Sequence, residues 1–129
     1  MTGHLIAGDA WMWVAVIVGA AVGAPMRYLV ETTVVIRLRN TRWHMFPWGL
    51  LAVNVLGSAL AGVVLARTTG DLRVLLLTGF CGAFTTFSGF AWQTHGLWSL
   101  ARPMWWWSVF GMTSACVVAF WIVWKLSGG

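Results

Sequence analysis

The longest stretch without a formal charge, residues 74–101, constrains this chain more than any other feature. Its 28 residues contain no Asp, Glu, Lys or Arg, and about 20 apolar residues are enough to cross a bilayer as an α-helix. In lipid, the backbone polar groups of such a segment are satisfied only in a helix or a closed barrel. The stretch therefore predicts a membrane helix with surplus length, which fits a tilt or an interruption near its middle.

Three further apolar runs complete the pattern, at residues 10–26, 43–66 and 103–124, and charged residues bound each of them. Hydrophobic residues make up 60% of the 129-residue chain and charged residues 9%, as expected of a membrane protein. We predict an all-α integral membrane protein with a single membrane domain, residues 1–129. Its four transmembrane helices are predicted at approximately residues 9–34, 43–66, 74–101 and 103–125.

The segments between the runs are short and polar. Residues 31–42 carry four charges and are predicted to be a loop or an amphipathic junction, and residues 67–73 are predicted to be a turn. No Lys or Arg precedes Trp11 and no small-residue cleavage site is evident, so we interpret the N-terminus as mature sequence. Most of the tryptophans lie near the ends of the runs, as in the aromatic belts of membrane proteins: Trp11, Trp13, Trp43, Trp48, Trp105, Trp106, Trp107, Trp121 and Trp124.

Basic residues are shared almost evenly between the two ends of the predicted bundle. The end with the first and third loops has four, or five with Arg27, and the end with the termini has three. The two sets are Arg37, Arg39, Arg42 and Arg102, and Arg67, Arg73 and Lys125. An excess of Lys and Arg sets orientation, and so small an excess permits insertion either way round. It favours a homodimer of oppositely oriented copies, with a parallel oligomer as the alternative.

The centre of the third run, residues 79–90, reads GFCGAFTTFSGF. Glycines lower helix stability, and hydroxyls in lipid need partners or a water-filled lining. Their density predicts either a broken helix at a functional centre or a tight helix–helix contact, and composition alone does not separate the two. In the first run, Gly19 and Gly23 form a GxxxG spacing that predicts a close-approach face.

Ionisable groups are missing from the predicted membrane interior, apart from Arg27 at the end of the first run. A proton-coupled transporter normally needs such a group, and small multidrug-resistance transporters use a glutamate in the first helix, where this chain has only Glu31 at the far end. His44 and His95 have no local carboxylate partner, so no hydrolase constellation is indicated. The scattered +5 charge forms no basic face for nucleic acid, and the cysteines lack nearby histidines for a metal site.

Neutral donors and aromatic edges remain as candidates for chemistry. Asn54 offers two N–H donors and lies on one helical face with Ser58 and Gly62. Phe87 and Phe90 share a face at i, i+3, and a phenyl ring has a positive edge. These groups could surround a small anion. From the residues alone, an interhelical hydrogen bond and ordinary packing are the more common roles.

The central stretch also resembles a known signature. GFCGAFTTFSGF is similar to the GFCGGxTTFSTF signature of the Fluc (CrcB-type) fluoride channels. Two further pieces agree in the same order, GAAVGAPMRY at residues 19–28 and PWGLLAVNVLGSALAG at residues 47–62. Together with the hydrophobic pattern, the resemblance covers nearly the whole chain.

The resemblance implies an antiparallel dimer with two fluoride pores. Phe87 and Phe90 would be the pore phenylalanines, and Asn54 would be the pore asparagine of the second helix. Ser88, between the two phenylalanines, and Ser108, in the fourth helix, would be further pore positions.

The resemblance also implies a structural Na⁺ at the dimer interface, held by the backbone carbonyls of Gly82 and Thr86 where the third helix is broken in mid-membrane. Arg27 matches the first-helix arginine of the family and would have a vestibule or structural role. Two residues depart from the pattern. Ala83 replaces the second glycine of GFCGG, and Gly89 stands where a threonine is usual, so a pore hydroxyl would be missing.

We therefore expect a fluoride-selective channel, not an enzyme, that exports fluoride passively across the bacterial cytoplasmic membrane as a multi-pass, dual-topology homodimer. Its partners would be fluoride, the lipid bilayer and a second copy, with no nucleic acid. An inside-negative potential favours anion exit by about 2.3 kcal/mol per charge per 100 mV. The alternatives are a drug or cation exporter of the small multidrug-resistance type and a non-transporting membrane assembly subunit. Proton-dependent flux would indicate the exporter, and absence of any flux the assembly subunit.

Overall fold

In the computed structural model, the backbone is described for residues 3–42 and 44–129 and the side chains for residues 10–42 and 44–129. Within these residues the chain forms five helices. They are α1 (Gly3–Leu38), α2 (Trp48–Arg67), α3 (residues 70–84), α4 (Phe87–Leu100) and α5 (Arg102–Leu126). Four helical spans are long and apolar enough to cross a membrane, because α3 and α4 together make the third, Gly70–Leu100. The prediction of an all-helical chain with four spans is confirmed, and Trp43 lies outside the described residues.

Helix α1 continues through Leu38, four residues past the predicted end of the first membrane helix at residue 34, so residues 35–38 are helical where a loop or junction was predicted. The last turns of α1 pack on the start of α2, where a Cβ atom at Gly49 would lie 2.9 Å from the Glu31 carbonyl oxygen. This contact stabilises the helix beyond Glu31. The amide of Thr41 (3.0 Å) and its hydroxyl (2.8 Å) both donate to the Leu38 carbonyl and end the helix.

The other helix boundaries also differ from the sequence prediction. Helix α2 begins at Trp48, because Pro47 occupies the preceding N-cap position. The predicted turn at residues 67–73 is shorter than expected, since α3 begins at Gly70. Gly70 has a φ of 60°, which glycine adopts at little cost, and this conformation reverses the chain between α2 and α3.

The helices pack in two main pairs, α1 on α3 and α2 on α5, with α1 also contacting α2. The predicted close-approach face on α1 is confirmed. A Cβ atom at Gly19 would lie 2.7 Å from the Phe80 amide nitrogen, and one at Gly23 would lie 2.5 Å from the Phe80 carbonyl oxygen. In the facing part of α3, residues Val74–Cys81 form wider π-helical turns.

A hydrogen bond and a close backbone contact join the ends of α2 and α5. The Nε of Arg67 donates to the Ser127 carbonyl at 2.5 Å, and a Cβ atom at Gly62 would lie 2.7 Å from the Phe120 carbonyl oxygen. Nearby, Arg73 donates to the Leu65 carbonyl at 3.1 Å. These contacts hold α5 along α2. They thereby position the α5 residues that line the candidate site.

Helix α4 packs mainly on the start of α5 and leaves large apolar side chains uncovered. Phe87 is 79% exposed and Trp92 80% exposed. An uncovered apolar surface of this kind marks contact with lipid or with another protein.

Candidate functional site

The backbone leaves the helical conformation at Thr85 and Thr86, between α3 and α4. Thr85 has a ψ of 162°, and Thr86 has a φ of −149° and a ψ of 121°. The Thr85 hydroxyl donates to the Cys81 carbonyl at 2.9 Å and satisfies the end of α3. The Thr86 hydroxyl accepts from the Gly89 amide at 3.1 Å and serves as the N-cap of α4.

The side-chain amide of Asn54, on α2, pairs with the backbone of Thr86 at this interruption. The Thr86 amide donates to Oδ1 of Asn54 at 2.8 Å, and Nδ2 of Asn54 donates to the Thr86 carbonyl at 3.2 Å. In a continuous helix the Thr86 amide would instead donate to the Gly82 carbonyl. Asn54 therefore substitutes for a helical hydrogen bond and stabilises the interruption.

A cavity of about 330 Å³ opens beside this pair, and among the residues that line it none carries a charged side chain. The lining combines α2, the interruption, α4 and α5. It consists of Asn54, Ser58, Thr85, Thr86, Phe87, Phe90, Met112, Thr113, Cys116 and Val117. The structure thus brings three predicted pore residues, Asn54, Phe87 and Phe90, to one cavity.

The hydrogen-bond donors that line this cavity are neutral, and Asn54 has more N–H groups than its bond to Thr86 uses. An asparagine amide carries two N–H donors, and one of those of Asn54 is taken by Thr86. Its other neighbour is the sulfur of Met112, 4.0 Å from Nδ2, and a thioether is a weak acceptor. An anion in the cavity would be a far better acceptor for this second N–H.

The two phenylalanines form one wall of the cavity. Their ring centroids are 5.9 Å apart and the rings are tilted by 41°, so the rings are offset and do not stack face to face. The edge of a phenyl ring carries partial positive charge. A phenyl ring that turns its edge to an anion attracts it weakly, without trapping it as a full charge would.

Some of the hydroxyls at the cavity are already engaged with their own helices. Thr113 donates to the Val109 carbonyl at 2.6 Å, as Thr85 does to Cys81. Such bonds occupy the hydroxyl proton and leave the oxygen as an acceptor. Asn54, with its second N–H, is therefore the more suitable donor to an anion.

Three predicted site residues lie elsewhere. Ser88 is exposed, with its Oγ 3.2 Å from the Thr86 hydroxyl, and it does not line the cavity. Ser108 is fully buried, with its Oγ 3.4 Å from the hydroxyl of Thr94. Arg27 is half-buried on α1, one turn beyond Gly23.

Sequence reasoning missed Met112, Cys116 and Thr94. Met112 is 2% exposed, with its sulfur 4.0 Å from Nδ2 of Asn54, and both Met112 and Cys116 line the cavity. Met112 and Cys116 follow Ser108 on α5 at steps of four residues, so helical periodicity could have identified these two. The partnership of Thr94 with Ser108 depends on how α4 crosses α5, for which the sequence gives no signal.

The backbone carbonyl oxygens of Gly82 and Thr86 are the type of ligand that a hard cation such as Na⁺ prefers. Gly82 is exposed, and its carbonyl loses the Thr86 amide to Asn54. The Thr86 carbonyl uses one lone pair for Asn54 and retains another. Among the described residues, no group of three or more His, Cys, Asp or Glu side chains could hold a metal ion. The candidate ligands are therefore these backbone oxygens.

The comparisons with known proteins agree on one family. The sequence profile described as CrcB-like protein, Camphor Resistance (CrcB), matches residues 14–125. A protein of Paramagnetospirillum magneticum named fluoride-specific ion channel FluC is 34% identical over 120 residues, which cover 83% of this chain and 88% of that protein. The relatives named here are ion channels, which are not enzymes.

Shorter matches are closer in sequence. Fluoride-specific ion channel FluC 1 of Streptomyces avermitilis is 41% identical over 87 residues, 64% of this chain and 67% of that protein. A FluC protein of Legionella pneumophila (strain Lens) is 46% identical over 85 residues, 61% of this chain and 60% of that protein. The match to the FluC 1 protein of Nocardia farcinica spans 54% of its length, about half. On the breadth of the family match, this four-span membrane chain belongs to the CrcB-like protein family.

Proposed function

We propose that this chain conducts fluoride passively and selectively across a membrane. The observation that carries the proposal is the Asn54–Thr86 pair, which holds an interrupted helix beside a cavity lined by neutral donors and two phenylalanines. The names of the relatives, fluoride-specific ion channels, identify the anion.

The chemistry of the cavity suits conduction better than tight binding. Selective conduction requires that binding compensate for the lost hydration shell and still be weak enough for the ion to leave. The spare N–H of Asn54 and the ring edges of Phe87 and Phe90 offer partial charges only. In this proposal Ser88 and Ser108 act further along the path, and Arg27 attracts anions towards an entrance.

The functional unit in this proposal is an antiparallel homodimer with the interruption at Thr85 and Thr86 in mid-membrane. Three observations support it. The cavity is open to the surface of a single chain, Phe87 is 79% exposed beside it, and basic residues are divided almost evenly between the two ends. A second copy would cover the exposed face of α4 and close the path.

A structural Na⁺ between the two copies is part of the proposal. The carbonyl oxygens of Gly82 and Thr86 would hold it, since hard cations prefer oxygen ligands. When bound, the ion would supply positive charge that stabilises the junction of the two interruptions. The Asn54 side chain takes the Thr86 amide, so the Gly82 carbonyl does not accept that helical hydrogen bond and can act as a ligand.

The proposed location is the bacterial cytoplasmic membrane, where an inside-negative potential of 100 mV favours exit of a monovalent anion by about 2.3 kcal/mol. Export then needs no coupling ion. This agrees with a cavity whose described lining contains no carboxylate or histidine.

Liposomes containing the purified protein should release fluoride, and not chloride, when a potassium ionophore dissipates the membrane potential. A fluoride electrode measures the release, and protein-free liposomes are the control. Comparable chloride release, or fluoride release that requires a proton gradient, would contradict a passive fluoride channel. No release of either anion would favour an assembly subunit.

Two added lysines between α1 and α2 should fix the orientation of the chain. Asn40 and Met45 are exposed, so Asn40→Lys with Met45→Lys changes charge without disturbing packing. Raising this end from four or five basic residues to six or seven, against three at the other end, should bias all copies one way and abolish fluoride release. Co-expression with a copy biased oppositely should restore it. A doubly substituted protein that is fully active alone would contradict the antiparallel dimer.

A further inference from the structure

A second cavity, of about 490 Å³, opens beside α5 next to the candidate site, and Met112 lines both cavities. Gly111 and Ala115 line the second cavity, whereas Thr113 and Val117 line the first. The two cavities therefore lie on neighbouring faces of α5, with Met112 between them. The far wall is formed by Phe46 and other residues beside the start of α2.

The second cavity is a groove with an apolar lining and small residues at its base. Gly111 and Ala115 provide the depth, and Trp107 and Met104 border the groove on α5. Its volume lies within the range of about 300–1,000 Å³ that is typical of ligand sites. Its aromatic border stands near the helix ends, where tryptophans meet the membrane–water interface.

A smaller cavity of about 190 Å³ continues the groove towards the helix ends. The two share Phe46 and Trp48, whose rings are 4.8 Å apart. Arg39 and His44 line the smaller cavity. The apolar groove therefore leads into a smaller cavity that is lined by the positively charged side chain of Arg39.

The charge at this end of the bundle is positive. Arg37 and Arg39 lie where α1 ends, Arg42 lies in the loop that follows, and Arg102 lies at the start of α5. A guanidinium binds phosphate oxygens in a bidentate manner, and basic residues near a bilayer surface attract anionic lipids. The charge of the smaller cavity thus complements an anionic headgroup.

We propose that the two cavities together form a binding site for an anionic phospholipid. An acyl chain occupies the groove over Gly111 and Ala115, and the headgroup phosphate binds Arg39. This proposal does not depend on what the chain conducts. The groove contains no residue of α4, whose uncovered face with Phe87 is the one suited to a second copy, so the groove is assigned to the bilayer.

The test is native mass spectrometry of the full-length protein, purified in detergent and mixed with equimolar phosphatidylglycerol and phosphatidylcholine. The wild type should retain phosphatidylglycerol in preference. Arg39→Gln should weaken that retention about fivefold, which corresponds to about 1 kcal/mol per basic residue. Arg37→Gln is the matched control, since Arg37 has the same charge, lies at the same end and lines neither cavity.

A second variant fills the groove. A Cβ atom at Gly111 would meet only Trp107, at an ordinary 3.5 Å, so Gly111→Leu should fold and abolish the retention of phosphatidylglycerol. The proposal is overturned if the wild type retains both lipids equally, or if the two arginine variants behave alike. It is also overturned if Gly111→Leu leaves lipid retention unchanged or alters the oligomeric state, which would identify a second copy as the occupant.

Discussion

The Gly19→Leu variant is expected to lose the folded bundle, because α1 and α3 touch through their backbones at this point. A Cβ atom at Gly19 would lie 2.7 Å from the Phe80 amide nitrogen and 2.9 Å from the Gly79 Cα. Backbone atoms cannot rotate away as a side chain can, so the helices must separate. We expect a cost of about 3 kcal/mol, the upper end of overpacking penalties, seen as lost monodispersity and a lowered unfolding temperature in detergent.

Ala21→Leu is the matched control, since it adds bulk to the same helix at an exposed position. Leucine and alanine have similar helix propensities, so this variant should unfold at nearly the wild-type temperature. If Gly19→Leu were as stable as Ala21→Leu, the close packing of α1 on α3 would be wrong.

The sequence was sufficient to predict the number and type of the spans, because charged residues interrupt long apolar runs at clear intervals. The ends were less predictable. Glu31 looked like the start of a junction, yet α1 continues to Leu38 because its last turns pack against Gly49. Such a contact joins residues 18 positions apart, and helix propensity, which depends on neighbouring residues only, cannot predict it.

The candidate site was predictable in its residue types and only partly in its arrangement. The glycines and hydroxyls of residues 79–90 predicted either a break or a packed helix, and Thr85 and Thr86 leave the helical conformation. The two roles considered for Asn54, an interhelical bond and a cavity donor, prove compatible. One N–H binds Thr86 while the side chain lines the cavity. Ser108 could not be placed from sequence, since its burial depends on the crossing of α4 and α5.

Asn54→Asp is expected to abolish fluoride release while the protein remains folded. Aspartate keeps an oxygen for the Thr86 amide but loses both N–H donors and adds a negative charge beside the cavity. Two like charges about 4 Å apart repel by about 4 kcal/mol at an effective dielectric constant of about 20. A barrier raised by that amount slows passage of the anion roughly a thousandfold, which the fluoride electrode would record as loss of release from liposomes.

The matched control is Leu56→Asp, two residues along α2 at nearly the same depth. Leu56 is 53% exposed and points about 200° away from Asn54, so the carboxylate does not face the cavity. Both variants bear a similar insertion cost, roughly 2.5–3.5 kcal/mol for a charge at mid-membrane, and size-exclusion chromatography reports whether each remains assembled. Release retained by Leu56→Asp and lost by an assembled Asn54→Asp would support an anion path past Asn54. Equal loss in both variants, or loss only when the assembly dissociates, would reduce Asn54 to the structural role that its bonds to Thr86 already give it.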